Sequence, residues 1–151
     1  MSRFHRSLSP ESVYTRYFNV LKLSERIAHD RLDRICHPSP HDETVLIAEI
    51  GEPSASSREI TGVGRLSVLP GFQTGEIAVV VSDAYQRQGI GTELMCRLFS
   101  VARERKLSRL CAHILPINIS MQRICLNAGM QFIGSPTDGE VTAEIDLSAT
   151  A

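Results

Sequence analysis

The sequence has no tryptophan, few aromatic residues (5%) and no long apolar run. A helix that spans a bilayer needs roughly 20 consecutive apolar residues, and no stretch of this chain approaches that length. The amino-terminal residues are charged and lack the apolar segment of a secretory leader. The formal net charge is only −1 at pH 7, so neither a membrane nor a nucleic acid is expected as the main partner.

The four cysteines lie far apart and form no C-x-x-C pair: Cys36, Cys96, Cys111 and Cys125. This spacing favours reduced thiols in a cytoplasmic protein. Cys36, His37 and His41 suggest zinc ligands, but a structural zinc site needs four ligands and no second Cys or His pair stands at a suitable spacing. We therefore expect a solvated loop there and no metal.

A chain of 151 residues with 42% hydrophobic and 22% charged residues has an ordinary globular composition. One domain of this length buries roughly two thirds of its unfolded surface. We therefore expect residues 1–151 to form a single domain.

The most informative stretch runs from Glu76 to Lys106. Residues 77–81 form a short β-branched run, which predicts a buried strand. Apolar residues then recur at helical spacing from Ile90, which predicts an amphipathic helix. Gly89 and Gly91 lie between the two elements, where the first N–H groups of the helix have no intrahelical partner.

Such a turn can bind a phosphate group, with Arg87 adding positive charge from the side. The alternative is a tight turn in which the glycines only satisfy the backbone geometry. Leu94 stands where a dinucleotide-binding motif has its third glycine, and no Gly-Lys-Ser/Thr sequence follows. Both common nucleotide-binding loops are therefore excluded.

Other elements follow from caps, periodicity and turn residues. Ser9, Pro10 and Glu11 begin a helix, and Ser24 begins a second one that ends before Pro38. The remaining expected elements are strands at 45–50 and 60–69 joined by a turn at 51–57, a strand at 109–115, a helix from the Asn118 cap to Gly129, and a hairpin of 131–133 with 141–147 around Asp138-Gly139. This order predicts an α/β (α+β) fold in which the first three strands are antiparallel.

The sequence Gln86-Arg87-Gln88-Gly89-Ile90-Gly91 resembles the acyl-CoA-binding motif of the GCN5-related N-acetyltransferase (GNAT) family, Gln/Arg-x-x-Gly-x-Gly/Ala. The resemblance implies that the loop amides hold the coenzyme A pyrophosphate and that the preceding strand pairs with the pantetheine arm. The expected cofactor-binding residues are Val79, Val80, Val81, Gln86, Arg87, Gln88, Gly89, Ile90, Gly91, Thr92 and Asn118.

A second segment resembles the family pattern Asn-x-x-(small)-x-x-(apolar)-Tyr-x-x-x-Gly-Phe. Its corresponding residues are Asn118, Met121, Ile124, Cys125, Gly129 and Met130. The resemblance implies the GNAT fold, a mixed and mostly antiparallel sheet flanked by helices. The family's first strand has no counterpart before the first helix, so we expect either a truncated start or a bare sheet edge.

Two residues are expected to be catalytic from this resemblance. Related protein acetyltransferases have a glutamate at Glu76, which would accept a proton from the attacking amine; the alternative is a solvated glutamate at a strand end. Cys125 occupies the position of a tyrosine acid in many relatives, and a small packing residue is the favoured alternative. Val80 or Val81 is expected to supply a backbone N–H for the oxyanion.

The resemblance implies an acetyl-CoA-dependent N-acetyltransferase that acts by direct attack in a ternary complex. Residues 8–18 and 114–118 are most similar to bacterial protein lysine acetyltransferases, so a protein lysine is the expected acceptor. A small-molecule amine acetyltransferase and a non-catalytic acyl-CoA-binding regulatory module are the alternatives. Assembly as a homodimer is left open.

Overall fold

The computed structural model describes residues 1–52, 54, 56, 58–134 and 139–148. Part of the expected turn at 51–57, namely Pro53, Ala55 and Ser57, lies outside the described residues, as does Asp138 of the last hairpin. All of the expected strands are present, with ends that differ by at most three residues from those predicted.

Four short helices open the chain: α1 (Ser2–Ser7), α2 (Pro10–Tyr17), α3 (Leu23–Arg26) and α4 (His29–Cys36). The predicted start of α2 is confirmed. The Ser9 hydroxyl accepts a hydrogen bond from the Ser12 N–H at 3.1 Å, and Pro10 occupies the first helical position, where its missing N–H costs nothing. The helix α1 was not predicted.

The single helix predicted from Ser24 to Pro38 is wrong, because the chain breaks at Ile27 and Ala28 into α3 and α4. The buried guanidinium of Arg26 donates to the carbonyl oxygens of His5 at 2.9 Å and Leu8 at 3.3 Å. These contacts attach α3 to α1, and α4 begins after the break as a separate helix. A contact between distant parts of the chain therefore overrides the local helical periodicity.

In the described part of the chain, six strands form one open sheet: β1 (Glu43–Ile50), β2 (Glu59–Val68), β3 (Thr74–Val81), β4 (Arg109–Ile114), β5 (Gln131–Ile133) and β6 (Val141–Asp146). Their order is β1-β2-β3-β4-β6-β5, and every pair is antiparallel except β3 with β4. The predicted mixed, mostly antiparallel sheet is confirmed. Residues 1–42 contain no strand, so the sheet begins at β1.

Two longer helices complete the fold: α5 (Ile90–Glu104), which follows a 3₁₀ turn at Asp83–Tyr85, and α6 (Ile119–Asn127). Both predicted helices are confirmed, and the Asn118 side chain caps α6 by accepting from the Met121 N–H at 3.1 Å. Within the described part of the chain, no helix is long and apolar enough to cross a membrane.

The strand β3 is covered on both faces, as its apolar run predicts. On one face Ile77 joins the main core, which α5 completes with Met95 and Leu98. On the other face Val80 packs with Phe4, Leu8 and Val13 of the amino-terminal segment. The β3 strand therefore lies between α5 on one face and the α1–α2 segment on the other.

The parallel pair separates part-way along its length. The register of β3 with β4 ends at Glu76 opposite Cys111. Beyond that point β3 stays paired with β2 as far as Val81, and β4 stays paired with β6 as far as Ile114. A gap therefore opens between two central strands, immediately before the glycine turn that begins α5.

Candidate active site

A cleft of about 530 Å³ lies at the end of this gap. Most of the cofactor-binding residues expected from the sequence line it: Val79, Val80, Val81, Gln86, Arg87, Gly89, Gly91, Thr92 and Asn118. Two of them do not. The Gln88 amide donates to the Ala84 carbonyl at 3.3 Å, and Ile90 faces the sheet, where a Cβ on Gly62 would lie 3.0 Å from its side chain. Four of the six motif residues therefore line the cleft, namely Gln86, Arg87, Gly89 and Gly91.

The amino end of α5 has the geometry of an anion-binding site. Among the described residues, no side chain caps this helix and the N–H groups of Ile90, Gly91 and Thr92 have no acceptor. Arg87 and Gly89 both have left-handed φ angles, +58° and +86°, so the turn directs these groups toward the cleft. Unpaired N–H groups at the positive end of a 15-residue helix favour a phosphate ligand.

The two glycines serve different purposes. A Cβ on Gly89 would meet no atom within 4 Å, so this glycine is required by its φ angle. Gly91 is buried, and a Cβ there would lie 3.0 Å from the Ile124 Cδ1 atom on α6. Gly91 therefore lets α5 and α6 approach each other, and α6 lines the opposite wall of the cleft.

Beyond Glu76, the edge of β3 that faces the gap has backbone N–H groups with no partner on β4, while the Val81 carbonyl accepts from the Gln86 side-chain amide at 3.1 Å. The Ser82 N–H donates to the Thr61 carbonyl at 2.8 Å, and backbone directions alternate along a strand. The N–H of Val80 consequently points toward β2, whereas those of Val79 and Val81 point into the gap. Of the two N–H donors expected from the sequence, Val81 has the suitable direction and Val80 does not.

The helix α2 forms a wall of the cleft that sequence reasoning missed. It contributes Glu11, Ser12, Thr15 and Arg16. The Asp83 carboxylate accepts from the Ser9 N–H at 2.9 Å and from the Ser12 hydroxyl at 3.0 Å. Partial burial raises the pKa of Asp83, but the hydrogen bonds from Ser9 and Ser12 outweigh burial and hold it below its ordinary value. Asp83 thus attaches α2 to the turn before α5.

A smaller cavity of about 250 Å³ contains Glu76. It shares Thr15, Arg16, Val79, Asn118 and Met121 with the cleft, so the two spaces adjoin. Glu76 is half-buried at the point where β3 and β4 separate. His113 of β4 also lines this cavity, and its Nδ1 atom lies 3.5 Å from the Glu140 carboxylate. The sequence gave no indication that this strand residue lies near the site.

Cys125 lies in the main core and does not line the cleft. Its side chain is fully buried, and burial raises the pKa of the thiol to about 11. A buried thiol of this kind is a poor proton donor or nucleophile near neutral pH. The position therefore favours the packing role over the catalytic one.

The loop that contains Cys36, His37 and His41 was considered as a zinc site. The His37 Nδ1 atom lies 3.0 Å from the Asp33 carboxylate, on the exposed end of α4. In the described part of the chain, no group of three or more His, Cys, Asp or Glu side chains is arranged to hold a metal ion.

Comparison with known proteins agrees with this geometry. A family model described as an acetyltransferase (GNAT) domain matches residues 2–131. The GNAT domain of the Streptomyces lividans protein acetyltransferase PAT is 30% identical, with 97% of this chain and 82% of that chain covered and a TM-score of 0.82.

Two more distant structures share the fold. A domain from Methanocaldococcus jannaschii is 14% identical, with 97% of this chain and 89% of that chain covered and a TM-score of 0.73. A Salmonella typhimurium structure with its cofactor acetyl-CoA is 19% identical, with 94% and 87% covered and a TM-score of 0.65. Because the family match spans most of the chain, this protein belongs to the GNAT acetyltransferase family and is an acetyl-CoA-dependent N-acetyltransferase.

Proposed function

We propose that this enzyme acetylates the side-chain amine of lysine residues in proteins, by direct attack within a ternary complex. The observation that carries the proposal is the 30% identity to the GNAT domain of a protein acetyltransferase over 97% of this chain. The cavity that contains Glu76 adjoins the cleft, which supports attack by an amine from that side.

The cleft has the donors that acetyl-CoA requires. The N–H groups at the start of α5, with Arg87 and Thr92, would hold the pyrophosphate, and the free edge of β3 would hold the pantetheine arm. When bound, acetyl-CoA supplies an acetyl thioester that an amine can attack. The Val81 N–H, which points into the gap, would donate a hydrogen bond to an oxygen that gains negative charge there.

Glu76 is the proposed proton acceptor. A lysine ammonium has an ordinary pKa of about 10.4, so it must lose a proton before it can act as a nucleophile. The Glu76 carboxylate lies in the cavity beside the cleft, and it forms no ion pair or hydrogen bond with another described side chain. Asp83 is another carboxylate that lines the cleft, but it already accepts two hydrogen bonds from the start of α2.

The mechanism does not require a proton from Cys125. A thiol with an ordinary pKa of about 8.5 leaves readily as a thiolate. The burial of Cys125 therefore leaves the proposed reaction intact.

Replacement of Glu76 tests the mechanism. Glu76→Gln is nearly isosteric, so the variant should fold and bind acetyl-CoA while its turnover falls by about 10²- to 10⁴-fold, the usual contribution of a general base. That loss corresponds to about 3 to 5.5 kcal/mol of transition-state stabilisation.

A matched control is Glu104→Gln, because Glu104 is an exposed carboxylate on the far end of α5. Near-normal turnover in Glu76→Gln would remove Glu76 from the mechanism. His113→Gln should then be measured in the same way, since His113 lines the same cavity.

The acceptor is tested separately, with wild-type enzyme, acetyl-CoA, lysine-containing peptides and small amines. Lysine peptides should gain an acetyl group detected by mass spectrometry, while free thiol is released in equal amount. Transfer only to small amines would favour a small-molecule acetyltransferase. Tight acetyl-CoA binding without transfer to any acceptor would favour the regulatory module.

A further inference from the structure

Four arginines surround a cavity of about 620 Å³ between the amino-terminal helices and the sheet. We call this cavity the arginine pocket, after Arg16 of α2, Arg31 and Arg34 of α4, and Arg65 of β2. Phe4, His5 and Val80 form its buried floor, whereas Arg34 and His37 are exposed. The cavity is therefore accessible from the α4 side and polar on its walls.

The carboxylates available within the protein do not balance this charge. Glu43 lies 3.2 Å from Arg65 and forms an ion pair with it. Among the described residues, Arg16, Arg31 and Arg34 have no carboxylate within ion-pair distance. The Arg31 Nε atom is buried and has no hydrogen-bond partner, which is a costly state for a charged group unless a ligand completes it.

The two innermost guanidinium groups are held in place by an aromatic ring. The guanidinium carbons of Arg16 and Arg31 lie 4.9 Å and 4.7 Å from the centroid of the Tyr17 ring. Cation–π contacts of this kind stabilise the charged groups without using their N–H donors. The planar donors of Arg16 and Arg31 therefore remain free for an anion.

Two titratable groups beside the pocket indicate a positive local potential. Burial, followed by the charges of Arg31, Arg26, the amino terminus and Arg16, lowers the pKa of His5 from 6.5 to about 4. Burial also lowers the pKa of Arg16; Arg65 and Arg31 add to this effect, whereas Tyr17 and Glu76 oppose it. The positive charge in this region is thus only partly neutralised by the two carboxylates that face it, Glu43 and Glu76.

The arginine pocket adjoins the Glu76 cavity. Arg16, Tyr17 and Ala78 line both spaces, and Arg16 lines the cofactor cleft as well. An amine placed beside Glu76 would therefore have the arginine pocket next to it. A negatively charged group attached to that amine could reach Arg16 and Arg31.

We propose that the arginine pocket binds a carboxylate carried by the acceptor, so that the enzyme prefers amines with an acidic group nearby. This inference rests on the proposed function, because it concerns the acceptor of the same reaction. For a protein acceptor, the carboxylate belongs to an aspartate or glutamate close to the acetylated lysine. Arginine binds carboxylates through paired hydrogen bonds, and Arg31 offers a buried donor that the protein itself leaves unpaired.

The test uses two matched pairs of acceptors with the full chain and coenzyme A bound. One pair consists of lysine peptides that differ only in glutamate or glutamine residues beside the lysine. The other consists of aminocaproate and hexylamine, which differ in one carboxylate. Titration calorimetry should show the glutamate peptide binding about tenfold or more tightly than the glutamine peptide, and Arg31→Gln should abolish most of that preference.

Two further variants support the interpretation. Arg34→Gln, at the exposed rim, should weaken the same preference. Because Arg34 is exposed, this variant tests the pocket even if Arg31→Gln fails to fold. Arg97→Gln is the control, because Arg97 is an exposed α5 residue that pairs with Glu93 and does not line the arginine pocket. It should leave the preference unchanged.

The outcomes separate the two proposals. Equal binding within both pairs by the wild type, or a preference that persists in Arg31→Gln and Arg34→Gln, would overturn the arginine pocket as a carboxylate site. A preference confined to the small pair would support the pocket and count against a protein acceptor. Acetylation of lysine in either peptide decides the proposed function independently of the binding preference.

Discussion

Replacement of Gly91 tests how the cleft depends on the packing of α5 against α6. A Cβ at this position would lie 3.0 Å from Ile124 Cδ1 and 3.7 Å from Val81 Cγ2. The first contact is with the end of a flexible side chain, which can move by the few tenths of an ångström required. Gly91→Ala should therefore be nearly neutral, because helix formation gains about 0.5–1 kcal/mol from the loss of glycine.

A larger side chain has no such space. Gly91→Leu would push α6 away from α5, at a cost of about 1–3 kcal/mol for overpacking. Since Asn118 and Arg123 of the α6 segment line the cleft, their displacement should weaken acetyl-CoA binding by at least about tenfold, or 1.4 kcal/mol. Titration calorimetry measures the affinity, and urea unfolding measures the stability.

The matched control is Gly64→Leu, because even a Cβ on Gly64 would lie 3.0 Å from Leu98 Cδ1 between β2 and α5, and a leucine there would overpack in the same way as at Gly91. Gly64 does not line the cleft, so this variant should lose stability and keep its affinity for acetyl-CoA. A folded Gly91→Leu protein with unchanged affinity would refute the assignment of this cleft to the cofactor.

Two other predictions concern buried groups. Because the pKa of His5 is about 4 in the folded protein and about 6.5 when unfolded, its contribution to stability is present above pH 6.5 and is lost as the pH falls toward 4. Urea unfolding should show a loss of about 2 kcal/mol from this group between about pH 7 and pH 5, and His5→Gln should remove that dependence. Cys36 and Cys96 are exposed, whereas Cys125 is buried with a thiol pKa of about 11; iodoacetamide followed by mass spectrometry should label the first two and spare Cys125. Cys125→Ala should retain most of the activity and lose about 1 kcal/mol of stability; an acetylated Cys125 that forms and decays at the turnover rate would contradict this.

The strands and the helix α5 could be predicted because their signals are local. A β-branched run, two glycines and a helical apolar stripe lie next to one another between Ile77 and Glu104, and each indicates the same βα unit. The caps at Ser9 and Asn118 are equally local, since each side chain accepts from an N–H three residues later. These features need no knowledge of the rest of the chain.

The break between α3 and α4 could not be predicted, because it depends on distant contacts. Arg26 donates to carbonyl oxygens of residues about 20 positions earlier, and no local pattern in the sequence encodes that pairing. The charged segment of α1 gave no helical stripe, yet Phe4 is buried against Val80 of β3. Tertiary packing therefore decides the amino-terminal third of the chain.

The candidate site likewise combines features with local sequence signals and features that depend on distant contacts. The glycine turn could be found from its motif, whereas the α2 wall depends on Asp83 binding the start of α2 across more than 70 residues. His113 and Glu76 lie in different strands, and only the sheet order brings them to one cavity. Backbone N–H groups alternate in direction along a strand, so the sequence indicates that every second β3 amide faces the gap. Which set faces the gap could be decided only from the pairing partner of Ser82.

A single-turnover experiment tests the central claim most directly. The protein is mixed with isotopically labelled acetyl-CoA and a lysine peptide, the reaction is quenched at intervals, and intact-mass spectrometry follows both protein and peptide. Direct attack in a ternary complex predicts that the label appears on the lysine side chain, in step with free thiol, while the protein never carries it. Label that passes through the protein, or thiol release without an acetylated peptide, would contradict the account.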